Sequence, residues 1–295
     1  MELRHLKYFV VVAEELHFTR AAERLNIAPP TLTVQIQEIE RSLSAQLLVR
    51  TKRSVALTPA GEIFLDEARH VLAQFEKAQS IGRRAGRGEI GRVEIGYVGS
   101  AAYAGVLQEQ MSEFLHVWPS VDLNAREIAM ETLLDLIVDG QVDVGFVRLP
   151  MTMPESVQRH VLLRDRFCLA IPKGRAWRNE QDAIQPRRLK NESFIAPEQD
   201  AGTFEVASRG GFQPRIVSAP GSLLAVLTQV SLGAGISVIP SVACGVLHLP
   251  CVEFRQITGE PITSEVAAVY RSDESSPTVN NFIAQLAASP IREII

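Results

Sequence analysis

The chain has 295 residues, with 30 Lys and Arg against 34 Asp and Glu, a net charge of -4, 46% hydrophobic and 22% charged residues. This is ordinary globular composition, long enough for two or more domains, and it excludes a uniformly basic polyanion binder. No run of about 20 apolar residues suits a bilayer, and the N-terminus lacks the basic start, apolar run and small-residue cleavage site of an export signal, so a cytoplasmic protein with no membrane partner is expected. Cys168, Cys244 and Cys251 form no CxxC pair. That argues against a disulfide framework or zinc site, and each is expected to be buried as a small hydrophobe.

Leu3, Leu6, Phe9, Val10, Ala13 and Leu16 repeat as the apolar face of a first helix. The stretch from Phe18 to Gln37 then reads as two short helices joined by a tight turn. Thr19 is expected to cap the first, Ala21, Ala22 and Leu25 form its packing face, and Asn26 suits a left-handed end. Pro29 and Pro30 open the second, where proline's missing N–H costs nothing. Leu32, Ile36, Ile39 and Leu43 make one buried stripe, which leaves Thr31, Thr33, Val34, Gln35 and Gln37 as an uncharged face for base edges in a major groove. The segment Leu48 to Thr58 alternates well enough for a short β-ribbon with Arg50, Lys52 and Arg53 at its tip, a basic wing fitted to phosphates or a narrow minor groove. Residues 1–60 carry eight Lys and Arg against six Asp and Glu, so the nucleic-acid footprint is expected to be local.

Leu3-Arg-His-Leu-Lys-Tyr-Phe9, Phe18-Thr-Arg-Ala-Ala-Glu-Arg-Leu25, Leu47-Leu-Val-Arg50 and Leu57-Thr-Pro-Ala-Gly61 closely resemble the winged helix-turn-helix of the LysR-type transcriptional regulators. At the start of the recognition helix the family usually has Ser-Gln-Pro, whereas this chain has Ala28-Pro29-Pro30. The resemblance implies a DNA-binding set of Pro29, Pro30, Thr31, Thr33, Val34, Gln37, Arg50, Lys52 and Arg53. It also implies double-stranded promoter DNA, RNA polymerase and further copies of the chain, as homodimer or homotetramer, as partners.

Pro59 starts a long helix to about Gly82 with Ile63, Phe64, Ala68, Val71, Leu72, Phe75 and Ala78 on one stripe; a lone helix would expose that stripe, so another helix should cover it. In the family this is the linker helix that pairs with its copy. Ile81 to Arg92 reads as a Gly/Arg-rich hinge. Its Gly86-Arg-Gly-Glu-Ile-Gly91 matches a dinucleotide fingerprint, but the strand and helix flank it in the wrong order.

Beyond the hinge, strands are expected over 93–98, 121–128 and 142–147 with helices over 104–117 and 131–139, the alternation of an α/β subdomain with a parallel sheet. A second run has strands over 167–171, 192–195, 214–217 and 236–239 with helices over 204–209 and 223–232. A strand over 265–270 and a helix over 279–288 return to the first lobe. The expected fold class is therefore α/β, with a mainly helical winged domain and a two-lobed effector domain of the periplasmic-binding-protein type. The expected division is 1–58 for DNA binding, 59–88 for linker and hinge, and 89–295 for effector binding. Lobe I comprises 89–164 and 266–295, and lobe II comprises 165–265.

Open α/β sheets bind ligands at the carboxyl ends of their strands. Tyr97-Val-Gly-Ser100, Gly145-Phe-Val-Arg-Leu149 and the spacing from Pro197 to Phe204 are similar to the benzoate-, muconate- and chlorocatechol-responsive members of the family. That likeness implies a small organic acid as effector, bound by Ser100, Gly202, Thr203 and Phe204 with Arg148 as cationic partner, and Met130 where those relatives have threonine. No cofactor, metal site or catalytic residue is expected, because no G-x-S-x-G elbow, H-E-x-x-H pair or phosphate loop occurs. The competing readings are a redox sensor using Cys244 and Cys251, and a binding domain for a non-acid effector on a DNA tether.

Overall fold

The computed structural model describes residues 1–51, 54–174 and 183–294. They divide into two compact units, Met1–Arg84 and Ala85–Ile295.

In the first unit, α1 (Leu3–Glu15) opens with the Glu2 N–H donating to His5 Nδ1 at 2.8 Å and ends on Leu16 in the left-handed region. Leu16 is therefore a cap, 44% exposed, and not the last buried residue of the stripe. The next helix, α2 (Phe18–Leu25), starts two residues earlier than a Thr19 cap implies, so His17 and not Thr19 is its cap, with Nδ1 accepting from the Arg20 N–H. Asn26 takes the left-handed turn at φ 53. The recognition helix α3 (Pro29–Leu43) has proline in its first turn and no side-chain bond from Ala28. Leu32, Ile36 and Ile39 bury completely with Phe9, Ala21 and Ala22, but Leu43, in the final turn, is exposed.

Strands β1 (Leu48–Arg50) and β2 (Val55–Leu57) pair antiparallel, Leu48 opposite Leu57. The long helix α4 (Pro59–Gly86) is capped by Thr58, whose Oγ1 accepts from the Gly61 N–H at 2.9 Å. Glycine is required at 61 because a Cβ there would fall 2.1 Å from the Leu47 carbonyl oxygen. The helix runs past Gly82 to Gly86, so the first half of the expected hinge is helical. A helical glycine costs only about 1 kcal/mol against alanine. Phe64 packs its ring 5.0 Å from that of Phe9, and Leu65 and Ala68 are buried, whereas Ile63, Val71, Phe75 and Ile81 are exposed.

The second unit begins with β3 (Gly91–Tyr97), α5 (Gly99–Ala102), α6 (Val106–Val117), β4 (Val121–Glu127), α7 (Met130–Val138) and β5 (Val144–Leu149). The helix expected over 104–117 starts two residues later, after Gly105 at φ +77. A sixteen-residue strand follows, β6 (Val157–Pro172), of which the sequence pattern exposed only the apolar end. Lobe II contains β7 (Ser193–Pro197), α8 (Ala201–Gly210), β8 (Arg215–Gly221), α9 (Leu223–Ser231), β9 (Ser237–Pro240) and β10 (Val252–Arg255). The chain returns through β11 (Thr263–Arg271), α10 (Pro277–Ala288) and β12 (Arg292–Glu293).

The principal sheet has the order β10-β6-β11-β5-β3-β4, with β9 and β12 also on β6. Strands β4, β3 and β5 are parallel, as the helical crossovers require, but β11 runs antiparallel to both β5 and β6. The sheet is thus mixed and not purely parallel. Strand β6 belongs to both lobes: residues 157–166 pair with β11, and residues 167–172 carry β9 and β10. Lobe I packs around Val93, Ile95, Phe146 and Phe282, and lobe II around Leu169, Phe194, Val226 and Val238.

Candidate functional site

On the winged unit, Pro29, Pro30, Thr31, Val34 and Gln37 are exposed along α3, and the Thr33 hydroxyl donates to the Pro29 carbonyl at 3.0 Å. Gln35 does not join this face, because its Oε1 is held 2.8 Å from His5 Nε2. With Nδ1 of His5 already accepting from Glu2, Nε2 is the donor in that bond. Arg50 is not at the wing tip. Its guanidinium bonds Glu40 at 2.7 Å and lies 5.0 Å over the Phe18 ring. Glu40 also accepts from the Leu47 and Leu48 N–H groups at 3.0 and 3.1 Å. Arg50 therefore ties the wing to α2 and α3, with 28% of its side chain still exposed. Lys52 and Arg53 lie outside the described residues.

In the second unit a cavity of about 480 Å³ lies between the lobes at the carboxyl ends of β3, β4, β5, β7 and β8, within the size range of small-molecule sites. Gly99, Ser100 and Arg148 line it from lobe I, and Ala196 to Asp200 and Gly221 to Leu223 from lobe II. Arg148 is completely buried and donates to Asp165 Oδ1 at 3.0 Å, the Ser264 hydroxyl at 2.6 Å and the Ser100 carbonyl at 3.2 Å. Burial pulls its pKa down and Asp165 opposes that pull. Asp165 pairs with its charge, while its buried Nε has no hydrogen-bond partner among the described residues.

The acidic lining is the feature the sequence did not foretell. Glu127, Glu131, Glu198 and Asp200 all border the cavity, and Arg148 is the one basic residue among the described lining. Glu198 crosses between lobes: its Oε1 accepts from the Met130 N–H at 2.5 Å, the first amide of α7. Burial pushes the Glu198 carboxyl above the ordinary glutamate range. The Met130 bond opposes this, and Glu131 and Glu127 add to it. Beside it Gln199 is 8% exposed, and neither of its amide atoms finds a hydrogen-bond partner among the described residues.

Four sequence-expected residues are elsewhere. Because α8 starts at Ala201, its first turn points Gly202 and Thr203 into lobe II and Phe204 outward. A Cβ on Gly202 would fall 2.7 Å from the Phe167 ring; Thr203 is fully buried, and Phe204 is 46% exposed. Met130 packs its side chain against the core of lobe I and offers the site only its amide, which Glu198 holds. Of the loop from Ala196 to Phe204, the near end, Ala196 to Asp200, lines the cavity. Each of Glu127 and Glu131 was readable as charged, though nothing local placed either at a ligand.

The thiols also differ from expectation. Cys251 is exposed, and the sulfur facing Cys244 is that of Cys168, at 3.1 Å. The hydrogen bond from this contact, with burial, raises the Cys168 thiol well above its ordinary range, and the same bond lowers that of Cys244 against the opposing pull of burial. Among the described residues no group of three His, Cys, Asp or Glu side chains could hold a metal ion.

A pH prediction arises from the Glu198 geometry. A carboxyl whose pKa is raised on folding binds its proton more tightly in the native state, so its contribution to stability is present at low pH and lost as pH rises through the folded pKa. The groups facing it are Glu127, Glu131 and the Met130 amide. Thermal unfolding of the full chain between pH 4 and 7 should show this fall in the effector unit, and Glu198→Gln should flatten it. An unchanged pH profile in that variant would show that Glu198 titrates normally.

Residues 3–62 match the family described as bacterial regulatory helix-turn-helix protein, lysR family, and residues 86–290 match the LysR substrate binding domain. The chain belongs to the LysR family. It is a LysR-type transcriptional regulator with an effector-binding domain, and not an enzyme. HTH-type transcriptional regulator AlsR of Bacillus subtilis (strain 168) is 34% identical over 289 residues, covering 96% of this chain and 94% of that protein. ClcR of Pseudomonas putida is 32% identical over 299 residues, 99% of each. The crystal structure of full-length CbnR complexed with its target DNA superposes with a TM-score of 0.81 at 25% identity, covering 98% of this LysR-type chain and 99% of CbnR. No helix among the described residues of the regulator is long and apolar enough to cross a membrane.

Proposed function

We propose that this regulator reads promoter DNA with α3 and responds to a small molecule held between the lobes of its second unit. The observation that carries the reading is the interlobe cavity, whose lining contains a buried amide with unmet hydrogen-bonding capacity. In this reading residues 1–58 bind DNA, 59–88 link and dimerise, and 89–295 bind effector, with 89–164 and 266–295 as lobe I and 165–265 as lobe II. Strand β6 crosses between the lobes, so a ligand touching both can shift the equilibrium between their arrangements if it prefers one of them. The change reaches promoter DNA through paired winged domains in a homodimer or homotetramer, and RNA polymerase is the cytoplasmic partner that senses it.

The organic-acid effector expected from the sequence rests on resemblance to relatives, and the lining of this cavity does not favour it. On the DNA side, Pro29 and Pro30 bring α3 into the groove, and Thr31, Thr33, Val34 and Gln37 face the bases. Lys52 and Arg53 would contact phosphates. Gln37→Ala and Thr33→Ala should each cost discrimination of about 1–3 kcal/mol at particular base pairs, with little loss on random DNA. Competition binding to operator variants checks this, and equal losses on operator and random DNA would move base readout off this face.

A further inference from the structure

We propose that the effector of this regulator is a small organic cation, an amine or amidine, whose charged end is received by Glu127, Glu131 and Glu198 and whose polar remainder pairs with the Gln199 amide. The proposal rests on the interlobe cavity being the effector site.

The geometry opposes an anion at two of the places one would lodge. The first amide of the nine-residue helix α7, a natural anion position, is occupied by the protein's own Glu198 carboxylate at 2.5 Å. The Arg148 guanidinium is neutralised by Asp165 and shares a second donor bond with Ser264. A ligand carboxylate would have to displace Glu198 and lie among Glu127, Glu131 and Asp200, where like charges at short range disfavour one another. A cation relieves the repulsion already present among these carboxylates. Burial and the neighbouring Glu131 and Glu127 hold Glu198 above its usual range, and a bound ammonium would reverse that.

Gln199 is independent of the acidic cluster and points to a ligand in its own right. It is 8% exposed, lines the cavity, and has both its donor and acceptor unpaired among the described residues. An unpaired buried amide is costly, and one molecule carrying both an N–H donor and an acceptor satisfies it. Ile128, Ile216 and Leu223 supply apolar surface for the body of the ligand.

Calorimetry on the full-length protein with two shape-matched pairs, benzylamine against benzoate and 1,4-diaminobutane against succinate, tests the proposal. At least one amine is expected to bind, more weakly as salt is raised. Glu127→Gln/Glu131→Gln should weaken it about tenfold or more, since hydrogen bonds to charged groups are individually strong. Silence from both amines, or amine binding unaffected in the double variant, overturns the cation. Acid binding abolished by the cavity-filling Ala219→Trp also overturns the cation while leaving the site in place. Binding of any probe that Ala219→Trp leaves unchanged overturns the cavity itself as the effector site.

Discussion

Arg148→Met should destabilise the effector-binding unit by about 3–5 kcal/mol, because removing one partner of a buried ion pair leaves the other charged and unmet. The partner is Asp165, as fully buried as Arg148 and 3.0 Å away. Its other oxygen accepts from the Val242 N–H at 3.3 Å, which cannot replace a guanidinium. The loss would fall where β5, β6 and β11 meet, since Arg148, Asp165 and Ser264 stand one on each strand. It would also release the Ser100 carbonyl and so loosen the cavity wall. Removing both charges, as Arg148→Met/Asp165→Leu, should recover much of the stability, because no isolated charge remains. Urea unfolding followed by a probe in residues 85–295 measures both variants. A single variant as stable as the parent would mean that Arg148 contributes little beyond its packing.

The second large effect is expected from α4. Ile63 is 71% exposed, with Val71, Phe75 and Ile81 between 43% and 45%, a run of apolar side chains left uncovered in the unit that carries them. Such a surface is costly in water and marks an interface, and a second copy of the same helix is the partner expected in a LysR-type protein. Val71→Asp/Phe75→Asp should therefore abolish self-association. Two winged domains on one assembly bind two half-sites with an effective-concentration advantage of about 10²–10⁴-fold, so operator affinity should fall by a factor in that range. Sedimentation and operator titration of the same preparation read the two effects together. A variant that still self-associates and still binds the operator would place the dimer contact on another surface.

The winged unit was largely legible before its structure was known. Pro29 and Pro30 opening α3, Asn26 in the left-handed turn and the burial of Leu32, Ile36 and Ile39 are consequences of local backbone chemistry and helical periodicity. Thr19 was misassigned by two residues and Leu16 by one, because helix ends depend on what the neighbouring core residue, here Phe18, finds to pack against. Arg50 was misassigned for a different reason. Its position at the wing is local, but the carboxylate and ring that hold it, Glu40 and Phe18, come from two other elements.

The same division runs through the effector unit. Alternation of strand and helix was enough to place the α/β lobes. Only the tertiary structure decided that β6 serves both lobes, that Cys244 faces Cys168, and that Gly202 and Thr203 belong to the core of lobe II. It also decided the charge of the cavity. Glu127 and Glu131 come from the end of β4 and the start of α7, and Glu198 and Gln199 from the end of β7 some seventy residues later. Hydrophobic periodicity reports which face of an element is buried, because that is a property of successive residues. It carries no information about which polar side chains converge across a sheet, since those distances are set by strand order and lobe packing.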